Sequence, residues 1–246
     1  MNTFRADLHI HSVLSPCGDV EMSPSNIVQK AVIQGLDIIG ITDHNSTKHC
    51  RLINELAIQQ GIFVLMGAEV TTKEEVHCLT FFENIELLDQ FQRYLEKHLP
   101  FMANNVDTFG YQLVVDKDDN VIEEIDTLLI AALDQTIEQI EQKTHSLGGL
   151  FIPAHIDRPS YSIISQLGFV PTDLQIDAVE ISSKSDLAKA GKLMGNKYEK
   201  AMIRSSDAHY ENQIGNTTTI FEMESCTFDE IRMALLRKDG RNTYFA

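Results

Sequence analysis

The sequence predicts an α/β fold with a mainly parallel sheet, and three observations carry that expectation. Short apolar runs alternate with amphipathic helical stretches through the first 66 residues, the rhythm of strands joined by crossover helices. The rhythm returns after Gly148-Gly149. Finally, a histidine, aspartate or glutamate stands at the end of nearly every run of strand type, where parallel sheets and barrels gather their chemistry because those loops open on one face.

Residues 4–10 read as a strand that continues into His11 and Ser12. Alternate side chains share a face, so His9 and His11 project together while Leu8 and Ile10 pack. A loop over 12–21 carries Pro16, Cys17, Gly18 and Asp19. Ser23 is placed as an N-cap with Pro24 at the first helical position, and Ile27, Val28, Ala31 and Val32 form one face before Gly35 ends the helix. The apolar run 37–42 delivers Asp43, His44 and Asn45 into the next loop. A helix over about 48–60 stops at Gly61, and a strand over 62–66 ends near Glu69. The strand 76–82 carries His77 early in its length.

There the rhythm breaks. Residues 84–146 read as an inserted, mostly helical subdomain within a body made of 1–83 and 147–246. The spacing predicts a helix over 85–98, a hairpin over 112–122 turning at Asp118-Asp119-Asn120, and a long acidic amphipathic helix over 123–147. Beyond the insert come a strand ending on His155, a short helix over 161–167, a strand over 178–182 and a helix over 185–195. A strand over 201–205 leads into Ser206-Asp207-Ala208-His209, and a strand over 218–222 and a helix over 228–237 complete the chain.

Acidic residues outnumber basic ones by 36 to 20, for a net charge of −16. A field of that sign repels polyanions, so neither duplex nucleic acid nor an anionic membrane is the expected partner. The cysteines Cys17, Cys50, Cys78 and Cys226 form no CxxC pair and read as reduced thiols of a cytoplasmic protein. The start of the chain carries no basic-then-apolar signal, and no run approaches the roughly 18 apolar residues of a membrane span.

Six of the nine histidines, His9, His11, His44, His77, His155 and His209, join Glu69 and Asp207 at strand ends. Imidazole and carboxylate donors suit Zn²⁺, Mn²⁺ or Fe²⁺. The set is too large for one mononuclear site and suffices for two or three divalent ions if a carboxylate bridges. Such ions can clamp a phosphate, generate hydroxide from bound water and stabilise the leaving oxygen. No GxSxG or P-loop motif offers another route.

DLHIHS at 7–12, ITDHN at 41–45, an isolated Glu69, a later strand His77, PAH at 153–155 and SDAH at 206–209 follow one another in this order. The set resembles the motifs of PHP-domain (polymerase and histidinol phosphatase) proteins. The resemblance implies a distorted (β/α)7 TIM-like barrel, a trinuclear centre and phosphoesterase activity on a small phosphorylated metabolite or nucleotide. Exonuclease action on short oligonucleotides and a silent metal-binding module for a partner protein are the alternatives. It further implies one ion held by His9, His11, Glu69 and Asp207, a second bridged by Glu69 to His77 and His155, and a third on His44 and His209. Family members often supply that third ion with a His or Asp from the loop after the HxH pair. Here Cys17 and Asp19 are the candidates, and Cys17 is favoured because it lies six residues after His11.

Arg158 is placed to fork onto a phosphate oxygen, and Asp43 and Asp7 to orient ligand imidazoles. His49, His98 and His145 read as plain surface residues. Arg204, inside an apolar strand, is expected to pair with Glu180 or another acid.

Overall fold

The computed structural model describes residues 1–183, 191 and 201–245. Seven strands form one curled sheet: β1 (Asn2–Ile10), β2 (Ile38–Ile41), β3 (Phe63–Thr71), β4 (His77–Phe82), β7 (Leu150–Pro153), β10 (Thr219–Met223) and β11 (Asn242–Phe245), in the order β11-β10-β1-β2-β3-β4-β7. Strands β8 (Ala178–Glu180) and β9 (Ala201–Ile203) pair in parallel and sit between the two ends of that sheet. On one side Asp177 N–H donates to the Phe151 carbonyl and Ile156 N–H to that of Glu180; on the other, Ala208 bridges β1. The result is the distorted α/β barrel that the motif order implied.

The sheet is mixed rather than parallel. Strands β1, β2 and β3 run parallel, whereas β4 is antiparallel to both β3 and β7. This explains why His77 opens its strand instead of closing it. An antiparallel strand brings its first residue to the rim where its neighbours bring their last.

Two apolar layers flank the sheet. The outer one packs α1 (Pro24–Ile33), α2 (Cys50–Ile58) and α3 (Ile85–His98) on Ile39, Val64, Met66, Ala68 and Phe82. The inner one holds Leu8, Leu65, Leu79, Phe81, Ile152, Ala178 and Ile203, closed below by Phe228 and Ile231 of α7 (Phe228–Leu235). Inner positions recur every second residue, and following them upward leads from apolar to ionisable side chains: Leu65 to Glu69, Phe81 back to His77, Ala178 to Glu180. Gly67 lies on the first path because a Cβ there would run into the Thr80 carbonyl. In β1 the pairing with β2 shifts register between Asp7 and Ile10, which moves Ile10 to the outer layer and turns His9 inward.

The long acidic helix expected over 123–147 is much shorter. Val121–Glu124 forms β6, paired with β5 (Leu113–Val115), and α5 spans only Ile137–Ser146. Thr136 and Gln139 build a capping box that fixes where α5 begins. Upstream, other segments take the backbone groups a helix would need. The Asn45 amide donates to the Leu129 and Ala131 carbonyls, the Gln112 amide to those of Ile125 and Thr127, and Leu133 N–H reaches Thr71. The segment 84–146 is therefore mixed, with α4 (Val106–Phe109) and a hairpin between α3 and α5. Short α6 (Ile163–Leu167) starts at the Ser162 cap. The helix expected over 185–195 falls almost wholly outside the described residues. Among the described residues no helix is long and apolar enough to cross a membrane.

Candidate metal centre

Glu69 is the hub of the rim. Its Oε1 lies 2.9 Å from His77 Nδ1, 3.2 Å from His155 Nε2 and 3.4 Å from His9 Nε2. Its Oε2 lies 3.3 Å from His11 Nε2 and 3.2 Å from His44 Nδ1. Asp207 Oδ1 is 3.3 Å from both His9 Nε2 and His11 Nε2, and those two nitrogens stand 3.1 Å apart. The His209 ring stacks on His11 at 4.2 Å. All these groups are buried except His209 and Asp207, which are partly so.

Three sets of donor atoms converge closely enough to hold an ion: His9, His11, Glu69 and Asp207; His44, Glu69 and His77; and His11, His44 and His209. The first set coincides with the expected one. In the second and third the partners are rearranged: His44 joins Glu69 and His77, while His155 meets Glu69 without belonging to a set among the described residues. Cys17 is exposed and belongs to none of the three. Burial of its sulfur and the charge of Glu69 nevertheless push its thiol up. Asp19 takes the N–H of Glu21, ordering its own loop.

The spacing of the first set bears on whether a cation fits. Ligands about 2.0–2.2 Å from a tetrahedral Zn²⁺ lie about 3.3–3.6 Å from each other; here His9 Nε2 and His11 Nε2 lie 3.1 Å from each other, 3.3 Å from Asp207 Oδ1 and 3.3–3.4 Å from a Glu69 oxygen. His44 Nδ1 is buried and faces Glu69 without a hydrogen-bond partner, an arrangement that costs free energy unless something else takes the nitrogen. The donor set and its spacing fit divalent ions.

Charge follows the same pattern. Burial works against both carboxylates, yet His77, His9 and His44 hold Glu69 well below the usual range, and His9 and His11 do so for Asp207. Burial also opposes charge on His9 and His11, but carboxylates outweigh it: Glu180, Asp207 and Glu69 raise His9 well above its ordinary value, and Asp207 and Glu69 bring His11 to about 9. Burial wins at His44 and at His209, which falls to about 4. Two residues of the cluster sit in the left-handed region, His155 at φ 28° and Asp207 at φ 51°. Strain of about 1–3 kcal/mol at such positions persists only where the surroundings enforce it.

Several side chains act otherwise than expected. Glu180 does not pair with Arg204; it takes His9 Nδ1 at 3.0 Å and the His155 N–H at 3.1 Å. An acid between Val179 and Ile181 on the inner parity was the available signal. Arg204 lies over the Phe245 ring. Asp7 touches no imidazole and anchors the Ser206 and Gly215 N–H groups, with burial raising it to about 6. Asp43 reaches His11 only through Ser15. His49, expected at the surface, is buried and bonded to Ser12 and the Val115 N–H, because α2 starts beneath the hairpin. His145 is partly buried between Glu141 and Asp177, and His98 pairs with Asp134. Arg158 Nη1 contacts Asp207 Oδ2 at 2.5 Å, with 41% of its side chain exposed.

The chain is similar in sequence or fold to several known proteins. An uncharacterised protein of Bacillus subtilis, YqxK, is 25% identical over 98% of this chain and 64% of its own length. The structure of the lesion-specific endonuclease Q of Pyrococcus furiosus superposes with a TM-score of 0.70 at 23% identity, covering 98% of this chain and 58% of that one. This chain thus spans about three fifths of both. A putative metal-dependent phosphoesterase of Bifidobacterium adolescentis has a TM-score of 0.60 at 18% identity, with 94% and 96% covered. Endonuclease Q is also known in complex with a 27-mer duplex bearing an abasic lesion at the active site. The expectation that duplex nucleic acid is excluded therefore does not stand: net charge describes the whole surface, and a cationic centre can reverse its sign locally. A PHP domain model matches residues 7–241, and on that match, nearly the length of the chain, the protein belongs to the PHP domain family.

Proposed function

We propose that the chain is a metal-dependent phosphoesterase that hydrolyses a small phosphorylated metabolite or nucleotide at a centre of two or three divalent ions. The convergence of five imidazoles on Glu69 carries this reading, because a buried carboxylate among so many imidazole donors suits bridging between cations. In that role His9, His11, Glu69 and Asp207 hold one ion, and His44, His77, His155 and His209 serve the others, with Cys17 or Asp19 completing the rim. The ions would supply positive charge for the phosphoryl oxygens and acidify the attacking water.

The protein's own residues prepare that chemistry. Glu180 takes the Nδ1 proton of His9, and Ser15 that of His11, so both Nε2 atoms face the carboxylates, where each would give up its proton to take an ion. Arg158, steered by Asp207, offers its remaining N–H groups to a phosphate oxygen. The reduced cysteines, two of them buried, support a cytoplasmic setting.

The fold shared with endonuclease Q favours one second reading, cleavage of a phosphodiester in DNA. Purified protein loaded with Zn²⁺, Mn²⁺ or Fe²⁺ is assayed on phosphomonoesters, mononucleotides, short oligonucleotides and a duplex carrying an abasic site. Turnover of the small esters is expected. Cleavage of the duplex alone would select the second reading, and no turnover at full metal occupancy would reject both.

A further inference from the structure

We infer that His49 is a positioning residue that ties the inserted hairpin to the metal centre through a buried hydrogen-bond relay ending on His11. The inference rests on the reading of the rim as a metal centre; the relay itself is visible without any ion.

The relay has a direction that the donors and acceptors fix. Val115 of β5 has only an N–H to give, and it donates to His49 Nε2 at 3.0 Å. That nitrogen therefore carries no proton, and His49 is the neutral Nδ1–H tautomer. Its Nδ1–H then donates to Ser12 Oγ at 2.7 Å. Ser12 Oγ–H is left to donate to Asp43 Oδ2 at 2.7 Å, while Asp43 Oδ1 takes Ser12 N–H and Ser15 Oγ–H, each at 2.7 Å. With its proton committed to Asp43, Ser15 Oγ accepts from His44 N–H and from His11 Nδ1–H at 3.0 Å. His11 must then present Nε2 to Glu69 and Asp207. Ser12, Ser15, Asp43 and His49 are all buried to within 1%, so water cannot substitute for a missing member.

His11, like His44 and Glu69, belongs to two of the three converging donor sets, so the end of the relay acts directly on the centre. The start lies in the segment 84–146. Docking of the hairpin and the aim of His11 Nε2 are thereby one equilibrium, and coupling of this kind is reciprocal. An ion bound at the centre must strengthen the Val115 bond by the same factor that a docked hairpin strengthens ion binding.

Three substitutions follow the polarity. His49→Gln can accept from Val115 with its oxygen and donate to Ser12 with its nitrogen, so it preserves the direction. His49→Phe cuts the relay. Asp43→Asn reverses the half that faces the hairpin: its Oδ1 still accepts from Ser12 N–H and Ser15 Oγ–H, but its amide nitrogen would donate to Ser12 Oγ, which also takes Leu14 N–H, forcing His49 to the Nε2–H tautomer, which opposes Val115 N–H. Lys48→Met removes the separate Lys48–Glu123 contact with the hairpin and leaves the relay whole.

The test is Zn²⁺ affinity by chelator competition on the full chain, with ¹⁵N-histidine spectra of the metal-free protein and amide exchange at Val115. Loss of a group that orients a ligand typically weakens metal binding 10–100-fold. A loss in that range is expected for His49→Phe and Asp43→Asn, with His49→Gln and Lys48→Met within about 3-fold of the parent, the scatter of ordinary surface changes. Zn²⁺ should also slow Val115 exchange in the parent and not in His49→Phe. An Nε2–H tautomer for His49 in the parent would overturn the inference, as would unchanged affinity in a folded His49→Phe protein. Should His49→Phe not fold, the parent tautomer and Asp43→Asn decide the matter. If the parent itself binds no Zn²⁺, the reading of a metal centre fails, whereas a wrong tautomer removes only the relay.

Discussion

Replacing Glu180 tests how the centre is held together before any ion binds. Its carboxylate is buried and takes His9 Nδ1 at 3.0 and 3.2 Å and the His155 N–H at 3.1 Å. Alanine leaves both donors unsatisfied, at about 1–3 kcal/mol each. The expected loss of about 2–6 kcal/mol is a large share of the roughly 5–15 kcal/mol that holds a domain folded. Glutamine keeps one acceptor oxygen and removes the charge, so its cost is the difference between charged and neutral hydrogen bonds, about 1–1.5 kcal/mol. The cost should depend on pH in a defined direction. Burial disfavours charge on His9, but Glu180 first, then Asp207 and Glu69, raise its folded value well above 6.5. Stability from a raised group is fully present below the unfolded pKa and is lost as pH rises through the folded one. The gap between parent and Glu180→Gln, read by urea unfolding in EDTA, should be widest near pH 6 and narrow on the alkaline side. A gap that widens with pH, or a loss below about 1 kcal/mol for alanine, would refute the assignment of Glu180 as the partner of His9.

Glu69→Gln should lower retained metal more than the 10–100-fold typical of outer partners, measured as ions per chain after dialysis; full retention would remove Glu69 from the hub. Arg158→Met should reduce kcat/KM by about 10–150-fold, the worth of one charged hydrogen bond at 1.5–3 kcal/mol, mainly through KM. A fall in kcat with KM constant would point to an interaction made only in the transition state. At His145, the hydrogen bond to Asp177 leads over burial and, with Glu141, raises the imidazole above 6.5. Its contribution is therefore fully present below about pH 6.5 and lost as pH rises through the raised folded value. Parent and His145→Gln should differ by about 0.5–1 kcal/mol at pH 5.5, as partly exposed pairs do, and converge by pH 8.5; a difference that grows with pH would contradict the pairing.

The sequence by itself determined the elements whose information is local. The apolar run of β1 brought His9 and His11 to its end, although a register shift rather than strict alternation turns His9 inward; the Ser23-Pro24 signal started α1, and the 85–98 helix appears with the expected bounds. The order of the motifs was enough to imply the barrel and to gather His9, His11, Glu69 and Asp207. Tertiary structure decided what depends on partners distant in the chain. Strand direction made His77 a rim residue although it opens β4. Side-chain amides from Asn45 and Gln112 took the backbone groups of 125–133 and cut short a helix that amphipathic spacing favoured. Glu180 and His49 look, in sequence, like an odd acid and a surface histidine. They acquire their roles from atoms 171 and 66 positions away, because a buried polar group is bound to whatever donor or acceptor the fold brings within reach.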